Sequence, residues 1–119
     1  MAKHHSTDIL NSNIETVLAS DINFKGKLKF RKSLKINGNL DGEIDASEGH
    51  LIIGENAHVK ANIIASRLSN YGKINGNVDI SYSLEIYNKA MLKGDIKTNE
   101  FFIQKGGYFN GKCEMNGEW

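Results

Sequence analysis

The chain contains no proline, a single cysteine and a single tryptophan, and no apolar run approaches the roughly 20 residues of a membrane span. Without proline, every backbone N–H is free to join a ladder of hydrogen bonds. One cysteine excludes an intramolecular disulfide. The formal net charge is only +1, which gives no overall pull toward nucleic acid or membrane. The first residues lack the apolar core of a signal peptide, so the expected compartment is the cytoplasm.

Chemical motifs are scarce as well. His4, His5, His50 and His58 show no ligand spacing with nearby acids, so no metal site is expected. No glycine-rich phosphate loop runs from a strand into a helix, and no cofactor is expected. Asp41 and Glu43 read as outward, solvated carboxylates. Nothing here assembles a catalytic constellation, and the chain is not expected to be an enzyme.

What is present is a repeated three-residue word: a small residue, any residue, then an apolar one. It stands at Gly26-Lys27-Leu28, Gly42-Glu43-Ile44, Ala61-Asn62-Ile63, Gly76-Asn77-Val78, Gly94-Asp95-Ile96 and Gly111-Lys112-Cys113. The intervals are 16, 19, 15, 18 and 17 residues, the length of one coil of a solenoid. Two residues before each small residue sits another apolar side chain: Phe24, Leu40, Val59, Ile74, Leu92 and Phe109. Two residues after each word come Phe30, Ala46, Ala65, Ile80, Thr98 and Met115. Steps of two put these side chains on one face of a strand, so stacking the coils produces inward columns. The 12 glycines suit the tight corners, and 39% apolar residues suit a thin solenoid that buries every second strand residue.

Each coil adds a second strand with an inward pair: Leu34/Ile36, Leu51/Ile53, Leu68/Asn70, Leu84/Ile86 and Phe101/Ile103. The corner that follows has two lengths. The next apolar residue lies four positions after Ile36 and Asn70, but six after Ile53, Ile86 and Ile103. Asn70 is the misfit, and a buried asparagine must find partners or cost about 1–3 kcal/mol, so it is expected to begin a corner or bond to a neighbouring backbone. The string Ile-Asn-Gly-Asn at 36–39 and 74–77 suggests a rival register, rejected because it breaks the columns. Cys113 occupies the column of Leu28, Ile44, Ile63, Val78 and Ile96 and reads as a small buried hydrophobe.

The expected architecture is therefore all-β, a single-stranded parallel solenoid of about six coils at roughly 17 residues each. Residues 1–15 lie outside the repeat as a flexible tail, 16–115 form the solenoid, and 116–119 are a short C-terminal tail. Residues 8–14 stay open between a short helix and an extended lead into a first strand at Thr16-Val17-Leu18. A solenoid of this kind leaves an open, apolar edge at each end unless it is capped. Four residues after Met115 are too few for a cap, and the last coil is aromatic. Phe101, Phe102, Ile103, Tyr108, Phe109 and Met115 are the candidate C-terminal docking surface. At the other end Val17, Leu18, Ile22 and Phe24 are the candidates, covered by the N-terminal tail or by a second subunit.

The pattern resembles the bactofilin family of bacterial cytoskeletal proteins. The resemblance covers about Glu15 to Met115. It rests on Glu15-Thr16-Val17-Leu18, on the stretch Leu34 to Ile44, on Leu51-Ile52-Ile53-Gly54-Glu55-Asn56-Ala57 with Val59-Lys60-Ala61-Asn62-Ile63, and on Gly94-Asp95-Ile96-Lys97-Thr98. It implies a right-handed β-helix, self-assembly into filaments without nucleotide, and contacts between like ends that leave the filament without polarity. Client proteins of the cell envelope or of cell shape are the implied partners. An enzyme on a left-handed hexapeptide β-helix would instead need strict six-residue periodicity and a histidine at a cleft between subunits, and this chain has neither.

One charged stretch stands out: Lys25, Lys27, Lys29, Arg31, Lys32 and Lys35 place six cations within eleven residues. The simpler reading is a solvated edge that discourages unwanted strand pairing. The other is a patch for anionic lipid or an acidic protein, at the inner face of the membrane, which would suit a monomeric binding module.

Overall fold

Successive coils lie directly over one another in parallel register. The structure is a computed structural model describing residues 4–5, 9–12, 16–18 and 23–115, with side chains at 23–29 and 31–115. Among the described residues are thirteen strands: β1 (His4–His5), β2 (Ile9–Ser12), β3 (Thr16–Leu18), β4 (Asn23–Phe30), β5 (Ser33–Ile36), β6 (Asn39–Ile53), β7 (His58–Asn70), β8 (Lys73–Asn75), β9 (Val78–Ile86), β10 (Met91–Lys93), β11 (Ile96–Ile103), β12 (Tyr108–Asn110) and β13 (Cys113–Met115). They form one sheet that winds on itself, and every pairing is parallel.

The columns expected from the repeat are the columns found. Phe24, Leu40, Val59, Ile74, Leu92 and Phe109 follow one another as Cα partners, as do Leu28, Ile44, Ile63, Val78, Ile96 and Cys113. The second strand of each coil aligns Leu34, Leu51, Leu68, Leu84 and Phe101 in the same way. The six words thus mark about five turns. Ile36 aligns with Ile53 while Ile74 aligns with Val59, so the two Ile-Asn-Gly-Asn strings occupy different sides of the solenoid and the rival register is excluded.

Each inward column is dry. Ile36, Leu51, Ile53, Leu68, Ile80, Leu84, Ile86 and Leu92 have no exposed surface, and each large side chain of this kind contributes about 1.5–3 kcal/mol before ordering costs. Asn70 meets its polar needs as expected. Its amide nitrogen donates to the Met91 carbonyl at 3.0 Å, and its oxygen accepts from the Gly72 N–H at 2.9 Å, which closes the short corner. The three longer corners each close with a backbone bond, from Ala57 N–H to the Gly54 carbonyl, Ala90 to Tyr87 and Gly107 to Gln104.

The small member of the word has a sharper reason than size. Gly94 sits at φ +140°, and a Cβ there would run into the carbonyl oxygen of Gly76 on the rung before; Gly42 repeats this against Gly26. Only glycine combines that backbone with so close an approach.

The strand at Thr16–Leu18 is present and pairs with Leu34–Ile36. Two strands ahead of it follow the same winding: β1 aligns with Asn23–Phe24 and β2 with Lys27–Phe30, which adds strands of a further coil before the first word.

Candidate assembly surfaces

Among the described residues the last rung is open on one side. β12 pairs only with β10, β13 only with β11, and the Glu100–Ile103 part of β11 only with Ser83–Ile86, so each leaves one row of backbone groups without a described partner. Its inward residues are incompletely covered. Ile103 is 46% exposed, whereas Ile36, Ile53 and Ile86 in the same column are 0%. Phe101 and Phe109 pack edge to face at 5.5 Å and lean on the core, half-buried like Met115.

Cys113 corrects the sequence reading. It holds the expected column position but is exposed, because no described rung lies beyond it. Its partial cover still pushes the thiol pKa up, and its sulfur lies 3.8 Å from that of Met115. Phe102 and Tyr108 are also placed differently from Phe101 and Phe109. They fall in outward columns, aligned with Glu85 and Met91, and are 56% and 47% exposed on the flanks of the end.

At the N-terminal end the candidates separate. Phe24 is only 3% exposed, with His5 aligned ahead of it, so it belongs to the core. Val17 aligns with Lys35 and Leu18 with Ile36, while Ile22 lies outside the described residues. The N-terminal edge of the described solenoid is the coil of β1, β2 and β3.

The basic stretch is partly answered by the next coil. Lys25 aligns with Asp41, Lys27 with Glu43 and Lys29 with Asp45, and the Lys27–Glu43 pair closes to 3.4 Å. With both side chains more than half exposed, that pair is worth little. Its effect is local: opposite charges follow each other along the column, where like charges would repel. Arg31, Lys32 and Lys35 are exposed, at the corner and on β5.

The outer surface carries polar order that the repeat did not announce. Side-chain oxygens of Asn62, Asn77 and Asp95 each accept from the backbone N–H of the aligned residue one rung on, namely Asn77, Asp95 and Lys112, at 3.3–3.4 Å. These residues line an open groove of about 790 Å³ with Ile64, Asp79, Lys97 and Glu114. The spacing of acceptor side chains one coil apart was the available signal. On another side His50 Nε2 lies 2.9 Å from Ser69 Oγ, which donates to Glu85, and Tyr87 donates to the same carboxylate. Burial and the hydrogen bond to Glu85 push the Tyr87 pKa up to about 12. Burial and the nearby Arg67 hold His50 below its usual value. The serine bridges the histidine and the glutamate, which lie on the coils to either side of it. The arrangement ties rungs together. Tyr71 stacks on Tyr87 at 4.2 Å, and Arg67 lies over the Tyr82 ring. Among the described residues no cluster of three metal-ligating side chains occurs, and no helix is long and apolar enough to cross a membrane.

Comparison with known proteins agrees with this geometry. A family model described as "Bactofilin: Polymer-forming cytoskeletal" matches residues 16–114. Bactofilin BacP of Myxococcus xanthus is 29% identical over 106 residues, which cover 88% of this chain and 44% of BacP. Bactofilin BacO of the same organism is 29% identical over 101 residues, covering 85% of this chain and 79% of BacO. The chain thus spans less than half of one curated relative and about four-fifths of the other. No solved structure matches it. A parallel solenoid with an open apolar rung, matched across its length by that family model, belongs to the bactofilin family of polymer-forming cytoskeletal proteins.

Proposed function

We propose that the chain assembles end to end, without nucleotide, into filaments whose contacts join like ends, and that these filaments form a scaffold for cell-envelope or cell-shape proteins. The observation that carries this is the C-terminal rung. Ile103 is nearly half exposed in a column that is dry at Ile36, Ile53, Asn70 and Ile86, beside three strand segments that have no partner on one edge among the described residues. Docking a second such rung removes apolar surface from water and gives the free backbone groups partners. That free energy comes from burial alone and needs no hydrolysis. Contacts between like ends are two-fold, so a filament built from them has no direction. Outward columns stay available along the filament, and they are the surfaces for client proteins. The proposed location is the cytoplasm, including the inner face of the cytoplasmic membrane where the basic first coil meets anionic head groups.

The test is negative-stain microscopy of purified protein in nucleotide-free buffer. Filaments are expected for the wild type. Phe109→Arg is expected to disperse them while the β-sheet circular dichroism is retained, since the charge lands on the exposed rung. A monodisperse wild type, or a variant that still forms filaments, would overturn the proposal.

A further inference from the structure

We infer that β1, β2 and β3 form a displaceable cap on the N-terminal end of the described solenoid, so that a second copy of the chain docks there only after the cap has peeled away. This rests on the end-to-end reading above. Backbone register places His5 over Phe24, Leu10 over Leu28, Ser12 over Phe30, Thr16 over Leu34 and Leu18 over Ile36. In the covered rung all five positions are apolar, and Phe24, Leu28, Leu34 and Ile36 are 3% exposed or less. In the first coil three of the five become histidine, serine and threonine. At the far end of the described residues the corresponding positions hold Phe109, Cys113, Met115, Phe101 and Ile103, none of them charged or hydroxylated.

A terminal coil whose column positions turn polar has the composition of a solenoid cap. A further rung stacked on it would set apolar columns against polar positions, so a second copy gains little there. The rung beneath offers five apolar positions, in columns that the core fills with apolar side chains except at Asn70 and Thr98. The cap is also lightly attached. Its strands are two, four and three residues long and pair on one side only among the described residues, whereas β6 runs 15 residues and pairs on both sides, with β4 and β5 on one and β7 on the other. Short edge segments open at a fraction of the global unfolding cost.

The first coil and a second copy therefore compete for the same edge of β4 and β5. Affinity at that end is scaled down by the fraction of chains whose cap is open. The C-terminal rung has no such competitor among the described residues, so pairing begins there and cap release turns pairs into filaments.

The test locks the cap in the full chain. His4 and Asn23 are Cα partners on adjacent rungs, a separation of about 4.8 Å that a disulfide spans. In a Cys113→Ala background, His4→Cys with Asn23→Cys is oxidised with oxidised glutathione, then reduced with dithiothreitol. Two-chain particles in sedimentation velocity and no filaments are expected when oxidised, with filaments regained on reduction. A second variant, Leu10→Pro with Asn11→Pro, removes adjacent N–H groups from β2 so that the ladder is lost whichever of them faced it. It is expected to form filaments at a lower protein concentration than the wild type. Filaments from the oxidised protein, or proline-bearing chains that assemble no more readily than wild type, would overturn the inference. If wild type and variants all remain single chains, the end-to-end reading itself fails and this one with it.

Discussion

Asn70→Asp tests how the core tolerates charge at a buried asparagine. The substitution keeps side-chain size and the bond accepted from Gly72, but it replaces the donor to Met91 with an oxygen facing a carbonyl at about 3.0 Å. The column around it is fully dry, with Ile53 and Ile86 at 0% exposure. A carboxyl buried this way has its pKa raised by up to about 3–5 units. At roughly 1.4 kcal/mol per unit, the roughly three units between the unfolded pKa and pH 7 bring the penalty at neutral pH to about 4 kcal/mol. The sign follows from the direction: the folded pKa lies above the unfolded value near 3.9, so stability is lost as pH rises from the unfolded pKa through the folded one. Once protonated, the carboxyl donates to the Met91 carbonyl and the penalty shrinks. Urea unfolding followed by circular dichroism is the assay, in a Phe109→Arg background so that assembly does not add stability by mass action. Near-parental stability is expected at about pH 4, and severe destabilisation at neutral pH. A variant that matches its parent at both would refute the burial of Asn70 and its bond to Met91.

Three further outcomes are expected. Gly94→Val should destabilise by more than the roughly 1–3 kcal/mol of backbone strain alone, since its Cβ also meets the Gly76 carbonyl; an unchanged melting temperature would show that the rungs can separate there. His50 is held below its usual pKa by burial and Arg67, partly opposed by Glu85. The unfolded chain therefore takes up its proton first, and stability falls as pH drops through about 6.5. His50→Gln should flatten that part of the pH profile, and an identical slope would exclude His50 as its source. Because Asp41, Glu43 and Asp45 face Lys25, Lys27 and Lys29, the triple change Asp41→Asn, Glu43→Gln, Asp45→Asn should strengthen sedimentation with anionic vesicles at low salt and lose that gain at high salt. No gain would mean that the acids do not mask the lysines.

The column pattern was legible because it is local. A step of two within a strand and a glycine-led word recurring about once per coil decide which residues point inward, and Phe24 to Phe109 stack as those spacings require. The fate of a residue in a column was less legible, because burial depends on what lies on the next rung. Cys113 and Ile103 hold core positions by spacing and are exposed by location. The lysine stretch reads as a strong patch until Asp41, Glu43 and Asp45 are set beside it one coil later.

The sequence alone therefore determined the repeat, the inward columns and the family, since these depend on short-range alternation and spacing. Only the tertiary structure decided what lies over each described rung. It laid β1, β2 and β3 over the first rung, gave Asn70 a partner 21 residues away, and left β13 with no further strand beyond it among the described residues. In a solenoid each coil is finished by its neighbour. What a coil exposes is set by contacts a full turn distant, which no local pattern records.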